Sequence, residues 1–347
     1  MKVNISKEDV LRASESGIIS TEQAENLWTH FSSVESEKTS FSGVNVAYYF
    51  GAFIIISAMT WFATEAFANF SSVGLMIVSL VYFAGFSTVG KKLYDNPQTK
   101  TPGGLLLTIA VFMVPLFIFS AQNYAGVWGT EEPGNYKNYF EWIKGGWFFM
   151  ELGTILTSII FLYRFRFPFL TFPLAFTLWF LSMDLTALIF GDSSFSGKQQ
   201  ETVSMLFGLI MLIVTYFIDR RTEKDYAFWL YLFGLLAFWG GLSLMGSGSE
   251  LGKFFYFCIN IGLVIISVLF RRKVFLVFGA IGAFGYLGYL SQEVFGDSMV
   301  FPIILTLIGL AIIWLTIKYA RNQKKIETFV NSKLPKSFLN LLPPHRN

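Results

Sequence analysis

The stretch Ile261-Gly262-Leu263-Val264-Ile265-Ile266-Ser267-Val268-Leu269-Phe270-Arg271-Arg272 has a glycine at its start, an apolar run with a late aromatic residue, and a cationic end. The same order of features occurs four more times along the chain, led by Gly74, Gly153, Gly208 and Gly309. Cationic residues at the end of an apolar run are typical of the membrane–water boundary. Five apolar segments are therefore expected to cross a membrane in one direction, and the apolar segments between them to return.

The composition favours a membrane protein over a soluble one. Hydrophobic residues make up 54% of the chain and charged residues only 14%, with a mean hydropathy of +0.54. A soluble domain has about 25% charged residues. The single cysteine, Cys258, excludes an intrachain disulfide.

The predicted fold is all-α: a polytopic membrane helix bundle of about ten transmembrane helices, arranged as five hairpin repeats. Each apolar segment has roughly the 17–25 residues that a bilayer requires. The segments fall at about 44–65, 69–90, 102–122, 147–164, 167–190, 201–218, 226–246, 253–270, 274–295 and 299–320. Three parts are predicted: a cytoplasmic helical hairpin and linker (1–43), the transmembrane bundle (44–320), and a basic amphipathic cytoplasmic tail (321–347) lying on anionic lipid.

The distribution of Lys and Arg predicts the orientation. With the N-terminus inside, the outer segments hold only four of the 26 Lys and Arg residues, namely Lys137, Lys144, Lys198 and Lys253. Because cytoplasmic loops carry an excess of Lys and Arg, both termini are expected to be cytoplasmic, in a bacterial inner or plasma membrane.

The polar prefix predicts two short helices, about 7–16 and 21–32. Ser20 followed by Gln23 is a capping-box pattern, and Gly17 stands where the first helix would end. Two such helices are too short to bury a core alone. Residues 1–43 are therefore expected to dock on a protein partner, on a second copy of the chain, or on the membrane surface, while a loosely ordered extension is the alternative.

Two stretches near the N-terminus resemble a bacterial family of predicted membrane proteins, domain of unknown function 2157. They are Ser16-Gly17-Ile18-Ile19-Ser20-Thr21-Glu22-Gln23-Ala24-Glu25 and Tyr48-Tyr49-Phe50-Gly51-Ala52. The resemblance covers about residues 8–65 and implies a helical hairpin before the first membrane helix, followed by a multi-helix membrane region. It implies no established activity and no catalytic residue.

No enzyme pattern is evident in the sequence. The two histidines, His30 and His345, both fall outside the apolar segments, and neither a glycine-rich phosphate loop nor a Gly-x-Ser-x-Gly pattern occurs. We therefore expect no catalytic residues, no metal site, no cofactor and no nucleic-acid partner.

Ionisable residues inside apolar segments are the remaining candidates, because such groups are costly in a membrane and mark functional sites. Asp184 is the deepest, and Ser182 and Thr186 flank it. Either Asp184 makes a buried structural hydrogen bond, with Asn260 among the groups that would face it, or it binds protons or cations. The candidate polar network consists of Asp184, Glu151, Glu293, Glu65 and Asn260.

The five leading glycines are expected to lie at helix–helix contacts, since glycine allows the close backbone approach that associates helices in lipid. They are Gly74, Gly153, Gly208, Gly262 and Gly309. The function predicted first is a non-enzymatic integral membrane protein that acts through assembly with membrane or cytoplasmic partners. The alternative is a transporter or channel for a small solute, a cation or a proton, using carboxylates of the outer leaflet.

Overall fold

The computed structural model describes residues 7–37, 43–69, 71–127, 146–190 and 197–294, together with single positions between 302 and 314. The regular structure in these ranges is entirely helical. The helices are α1 (Lys7–Glu15), α2 (Thr21–Glu37), α3 (Gly43–Asn69), α4 (Ser72–Tyr94), α5 (Lys100–Tyr124), α6 (Gly146–Phe165), α7 (Thr171–Phe190), α8 (Gly197–Arg221), α9 (Ala227–Leu244), α10 (Glu250–Phe270) and α11 (Lys273–Tyr289), the last continuing into a π-helical segment, Leu290–Val294. The predicted tail, and most of the predicted segment 299–320, lie outside the described residues.

The chain forms two compact units, Met1–Ile55 and Ile56–Asn347. In the first unit, α1 and α2 form the expected helical hairpin. Gly17, between them, has a φ of +69°, a left-handed conformation that favours glycine. The predicted capping box is confirmed, since the Ser20 amide donates to Gln23 Oε1 at 2.9 Å and the Gln23 amide donates to Ser20 Oγ at 3.1 Å.

In the second unit, seven described helical stretches are long and apolar enough to cross a membrane. They are Ser72–Tyr94, Pro97–Tyr124, Trp147–Phe165, Pro168–Thr186, Gly197–Arg221, Ala227–Leu244 and Glu250–Phe270. Two shorter apolar stretches are also described, namely Val46–Ala58, which is part of the 27-residue helix α3, and Lys273–Tyr289. An all-helical membrane protein is thus compatible with the structure, but the predicted count of ten spans is not confirmed.

The helix pairs with the most extensive contacts are α4 with α5, α8 with α9, and α10 with α11. Short connections join the helices of each pair, and those connections are at the cationic ends of α4, α8 and α10. The predicted repeat instead pairs α5 with α6 and α7 with α8, whose contacts are less extensive. Short connections keep antiparallel neighbours together. The five hairpin repeats are therefore not confirmed, and the pairs with the most extensive contacts are instead those whose helices meet at the cationic connections.

The five predicted packing glycines behave differently from one another. A Cβ on Gly208 would lie 2.2 Å from the backbone nitrogen of Phe238, so α8 and α9 are in backbone contact there. A Cβ on Gly153 would lie 2.1 Å from Ile118 Cδ1 of α5. By contrast, a Cβ on Gly262 or on Gly309 would meet none of the described heavy atoms within 4 Å. At these two positions the described residues include no packing neighbour, and the packing prediction for Gly262, Gly309 and Gly74 stays a prediction.

In the α10–α11 pair, the glycines that pack closely belong to α11, not to α10. A Cβ on Gly279 would lie 2.6 Å from the backbone oxygen of Asn260, and a Cβ on Gly282 would lie 2.0 Å from its side-chain oxygen. The glycines of α11 thus leave room for the Asn260 side chain between the helices. The closely packed glycines of this pair are therefore on α11, whereas the predicted packing glycine, Gly262, is on α10.

Candidate functional site

The structure brings together two of the predicted site residues, Glu151 and Asp184. Glu151 lies near the start of α6 and Asp184 near the end of α7, and each is only 4% exposed. The two carboxyl groups are close enough to interact with each other. Neither carboxyl oxygen of Glu151 has a hydrogen-bond partner of normal geometry. Both residues lie in stretches long and apolar enough to cross a membrane, so the site is a buried acid pair between two such helices.

Equal distances from the connecting turn place the two acids at one level. Glu151 precedes Phe165, the last residue of α6, by fourteen positions, and Asp184 follows Leu170, which precedes α7, by fourteen. At about 1.5 Å per residue, both acids lie roughly 21 Å along their helices from the turn. The turn between α6 and α7 is itself anchored by a hydrogen bond, which the Tyr226 hydroxyl donates to the Arg166 backbone oxygen at 2.6 Å. Because α6 and α7 pack against each other, equal spacing puts the acids side by side.

Buried hydroxyl groups follow Glu151 along α6. Thr154 and Ser158 are 2% and 0% exposed, and they occupy positions three and seven residues after Glu151. Residues at this spacing share one helix face. Each hydroxyl donates at 2.7 Å to the backbone oxygen four residues earlier. Their hydrogens are thus satisfied within α6, and the acid pair is at one end of a buried polar face.

A third helix, α5, brings an amide to the same end of the bundle. Phe119 of α5 packs in one buried cluster with Met150, the residue before Glu151. Gln122 follows Phe119 by three residues, which is the spacing of neighbours on one helix face. Both polar atoms of the Gln122 side chain are buried and have no hydrogen-bond partner. The hydroxyl of Thr186, two residues after Asp184, is likewise buried and unpartnered.

Unsatisfied buried polar atoms are rare in native proteins, and each calls for an explanation such as an ordered water, an ion or a catalytic role. Among the described residues, the carboxyl oxygens of Glu151, the amide of Gln122 and the hydroxyl of Thr186 fall near one end of α5, α6 and α7. The concentration of such atoms around a carboxyl pair marks this end of the bundle as the candidate site.

The other predicted site residues lie elsewhere. Asn260 is fully buried in α10, where its side-chain oxygen accepts a hydrogen bond from Trp239 Nε1 at 2.9 Å and its amide donates to the Tyr256 backbone oxygen at 2.8 Å. These contacts join α10 to α9, so the bond predicted between Asn260 and Asp184 is not what the structure shows. Glu293 is exposed in the π-helical segment, and the side chain of Glu65 is outside the described part of the chain.

The structure also contains an ionic cluster around Arg272, which the sequence does not reveal. Arg272, between α10 and α11, donates from Nη2 to Asp219 Oδ1 at 2.6 Å and from Nε to Asp219 Oδ2 at 3.1 Å. A third bond runs from Arg272 Nη1 to Asp225 Oδ2 at 2.9 Å. Burial lowers the pKa of the Arg272 guanidinium, but the hydrogen bonds from the two aspartates outweigh it and raise that pKa above its ordinary value. The cluster ties α8 to the α10–α11 connection, and with its charges paired in this way we interpret it as structural.

The chemistry available to the acid pair follows from its donor atoms. All of the candidate ligand atoms are oxygens, which suit a proton or a hard cation and not a soft metal. Within the described ranges, no group of three or more His, Cys, Asp or Glu side chains is placed to hold a metal ion. Two ionised carboxylates at close range disfavour each other's charge. The pair is therefore expected to share at least one proton, or to hold a cation between its oxygens.

Comparisons with known proteins found no match to this chain among protein-family models, curated proteins or solved structures. The resemblance of residues 8–65 to domain of unknown function 2157 therefore stays a prediction. The description that the fold supports is that of a chain whose apolar helices are compatible with an integral membrane protein.

Proposed function

We propose that this chain is an integral membrane protein that moves a proton or a small cation across the membrane through the Glu151–Asp184 pair. The observation that carries the proposal is the placement of two almost fully buried carboxyl groups, close enough to interact, on neighbouring helices that are long and apolar enough to cross a membrane. On insertion scales, a carboxylate costs about 2.5–3.5 kcal/mol at the centre of a membrane-spanning helix and less toward the helix ends, where Glu151 and Asp184 lie. Ionisable groups inside apolar segments usually mark ion pathways or proton relays.

A purely structural role explains the pair less well. The expected structural partner of Asp184 was a neutral hydroxyl or amide, whereas the group that interacts with it is a second acid. A structural hydrogen bond needs only one carboxyl group and one satisfied donor or acceptor. Here both Glu151 oxygens are buried without a partner of normal geometry. A buried polar group without a hydrogen-bond partner normally lowers the stability of the folded protein. This favours a site in which a bound ligand or proton supplies the missing partner.

The role predicted first, assembly with membrane or cytoplasmic partners through residues 1–43, stays a prediction. The described part of the N-terminal hairpin offers exposed apolar side chains, including Ile18 at 75% and Leu27 at 37%, but no specific observation identifies a partner. We retain the predicted orientation, with both termini in the cytoplasm, as part of the proposal. It puts the acid pair toward the outer face, at the end of the bundle where α6 begins and α7 ends.

The test is ion flux in vesicles that contain the purified protein. Proteoliposomes loaded with a pH-sensitive dye would be given an inward gradient of Na⁺, K⁺ or protons, and proton movement would be recorded for wild type, Glu151→Gln and Asp184→Asn. Both substitutions retain size and hydrogen-bonding capacity but remove the ionisable group. Wild type is expected to move protons, and each variant is expected to fold normally and lose most of the flux.

Glu201→Gln is the matched control. Glu201 is a half-buried acid near the start of α8, at the same end of the bundle as Asp184. This variant should retain flux at the wild-type rate. Wild-type flux that survives in both Glu151→Gln and Asp184→Asn would contradict the proposal, as would the absence of any flux in folded wild-type protein.

A further inference from the structure

The α1–α2 hairpin has an apolar cleft that its two helices do not fill. The cleft has a volume of about 220 Å³ and is lined by Val10, Leu11, Ala24, Glu25, Trp28 and Thr29. One water molecule takes up about 30 Å³ of liquid, so the cleft has room for a large apolar side chain. Nearby apolar surface is also open, since Leu11 and Leu27 are 38% and 37% exposed and Ile18 is 75% exposed. The hairpin therefore presents an apolar surface that another segment can cover.

The charge of the hairpin restricts what can cover this surface. Residues 7–37 hold seven acidic residues and two basic ones. Glu25 is exposed beside the cleft, and Glu22 is exposed three residues earlier on α2. Anionic lipids give the cytoplasmic membrane surface a negative potential, which attracts basic segments. It therefore repels an acidic hairpin, so the segment that covers the cleft is expected to be both apolar and basic.

The predicted tail, residues 321–347, has this chemistry. It holds six basic residues and one acidic one, so its net charge of +5 matches the −5 of residues 7–37 with opposite sign. Large apolar residues, among them Phe329, Leu334 and Phe338, alternate with the basic ones. Both segments are cytoplasmic in the predicted orientation. A segment of the same chain has a high effective concentration, so weak contacts are enough to hold it.

We propose that residues 321–347 dock on the cleft of the α1–α2 hairpin. Apolar side chains of the tail enter the cleft, and its Lys and Arg side chains lie beside the acids of the hairpin. Burial of apolar surface supplies the affinity, while the opposite charges select this segment and exclude anionic lipid from the cleft. The inference is independent of ion movement through Glu151 and Asp184 and shares only the predicted orientation with the proposed function.

The experiment uses the full-length protein in vesicles of phosphatidylethanolamine and phosphatidylglycerol, with Leu11 replaced by the photo-crosslinking residue p-benzoylphenylalanine. After irradiation and digestion, mass spectrometry should find peptides of residues 321–347 attached at position 11. The matched control carries the same crosslinker in place of Asn26, an exposed residue of α2 that does not line the cleft. Attachment of the tail should be several-fold lower there, and equal attachment at both positions would overturn the assignment of the cleft.

A charge swap tests whether complementary charge selects the tail. Lys333→Glu combined with Lys336→Glu should lower the yield of the crosslink at position 11 at least about threefold, because attractive pairs become repulsive ones. Adding Glu22→Lys and Glu25→Lys to that protein restores opposite charges and should restore the yield. A yield that the first pair of substitutions leaves unchanged, or that the second pair fails to restore, would overturn the proposal.

The same crosslinker distinguishes the other occupants of the cleft. In vesicles that mix isotope-labelled and unlabelled protein, docking within one chain gives crosslinks in which both peptides have the same label. Crosslinks between labelled and unlabelled peptides would show that a second copy occupies the cleft, and lipid adducts at position 11 without tail peptides would show that the membrane covers it. Either result would overturn the proposal. Ion flux enters none of these measurements, so the proposed function and this inference fail separately.

Discussion

Removing the Arg272 guanidinium is expected to destabilise the protein far more than removing Asp225, although both take part in the same cluster. The Asp219 side chain is 0% exposed and that of Arg272 is 13% exposed, whereas that of Asp225 is 45% exposed. Arg272→Met retains an unbranched apolar stem and leaves Asp219 buried without its partner, which costs about 3–5 kcal/mol. Asp225→Asn weakens one exposed ion pair, and such pairs contribute about 0.2–1 kcal/mol.

The free energies of unfolding would be measured by titrating SDS into mixed micelles and following tryptophan fluorescence. The loss in Arg272→Met should be at least about threefold larger than that in Asp225→Asn. A double variant, Arg272→Met with Asp219→Leu, should recover much of the loss, because replacing both partners of a buried ion pair by apolar groups is often neutral or stabilising. Equal, small losses in both single variants would refute the argument that the buried pair joins α8 to the α10–α11 connection.

Three further predictions concern packing and orientation. Gly208→Ala should lower the free energy of unfolding by about 1–3 kcal/mol, because its Cβ would meet the Phe238 backbone. Gly262→Ala, the control, should leave the free energy of unfolding unchanged or raise it. Equal losses in both variants would contradict the assignment of the Gly208 contact. Gly282→Ala should also destabilise, since its Cβ would meet the Asn260 side chain, and a wild-type thermal unfolding temperature in detergent would count against that contact. Reporter fusions after Asn347 and within residues 123–146 should report opposite sides of the membrane, and the same side for both would rule out the predicted orientation.

The residues of the acid pair can be identified from the sequence, but their pairing cannot. Asp184 and Glu151 were both found because charged side chains are conspicuous in apolar segments. Their pairing was missed because hydropathy says nothing about which helices pack together. One signal was present, namely the equal spacing of fourteen residues from each acid to Phe165 and Leu170 at the turn. The equal spacing places the two acids at the same depth along the bundle only if α6 and α7 pack as antiparallel neighbours.

The sequence by itself determined the helical class, the approximate helix bounds and the N-terminal hairpin with its Ser20–Gln23 capping box. These features depend on local causes: apolar length, cap residues and a glycine that tolerates positive φ. The tertiary structure alone decided which helices pair, which glycines lie at contacts, and which polar groups meet. Those outcomes depend on the rotation of each helix about its axis, which is fixed only when side chains of neighbouring helices interlock. For that reason Asn260 accepts a hydrogen bond from Trp239, while Asp184 lies close enough to Glu151 to interact with it.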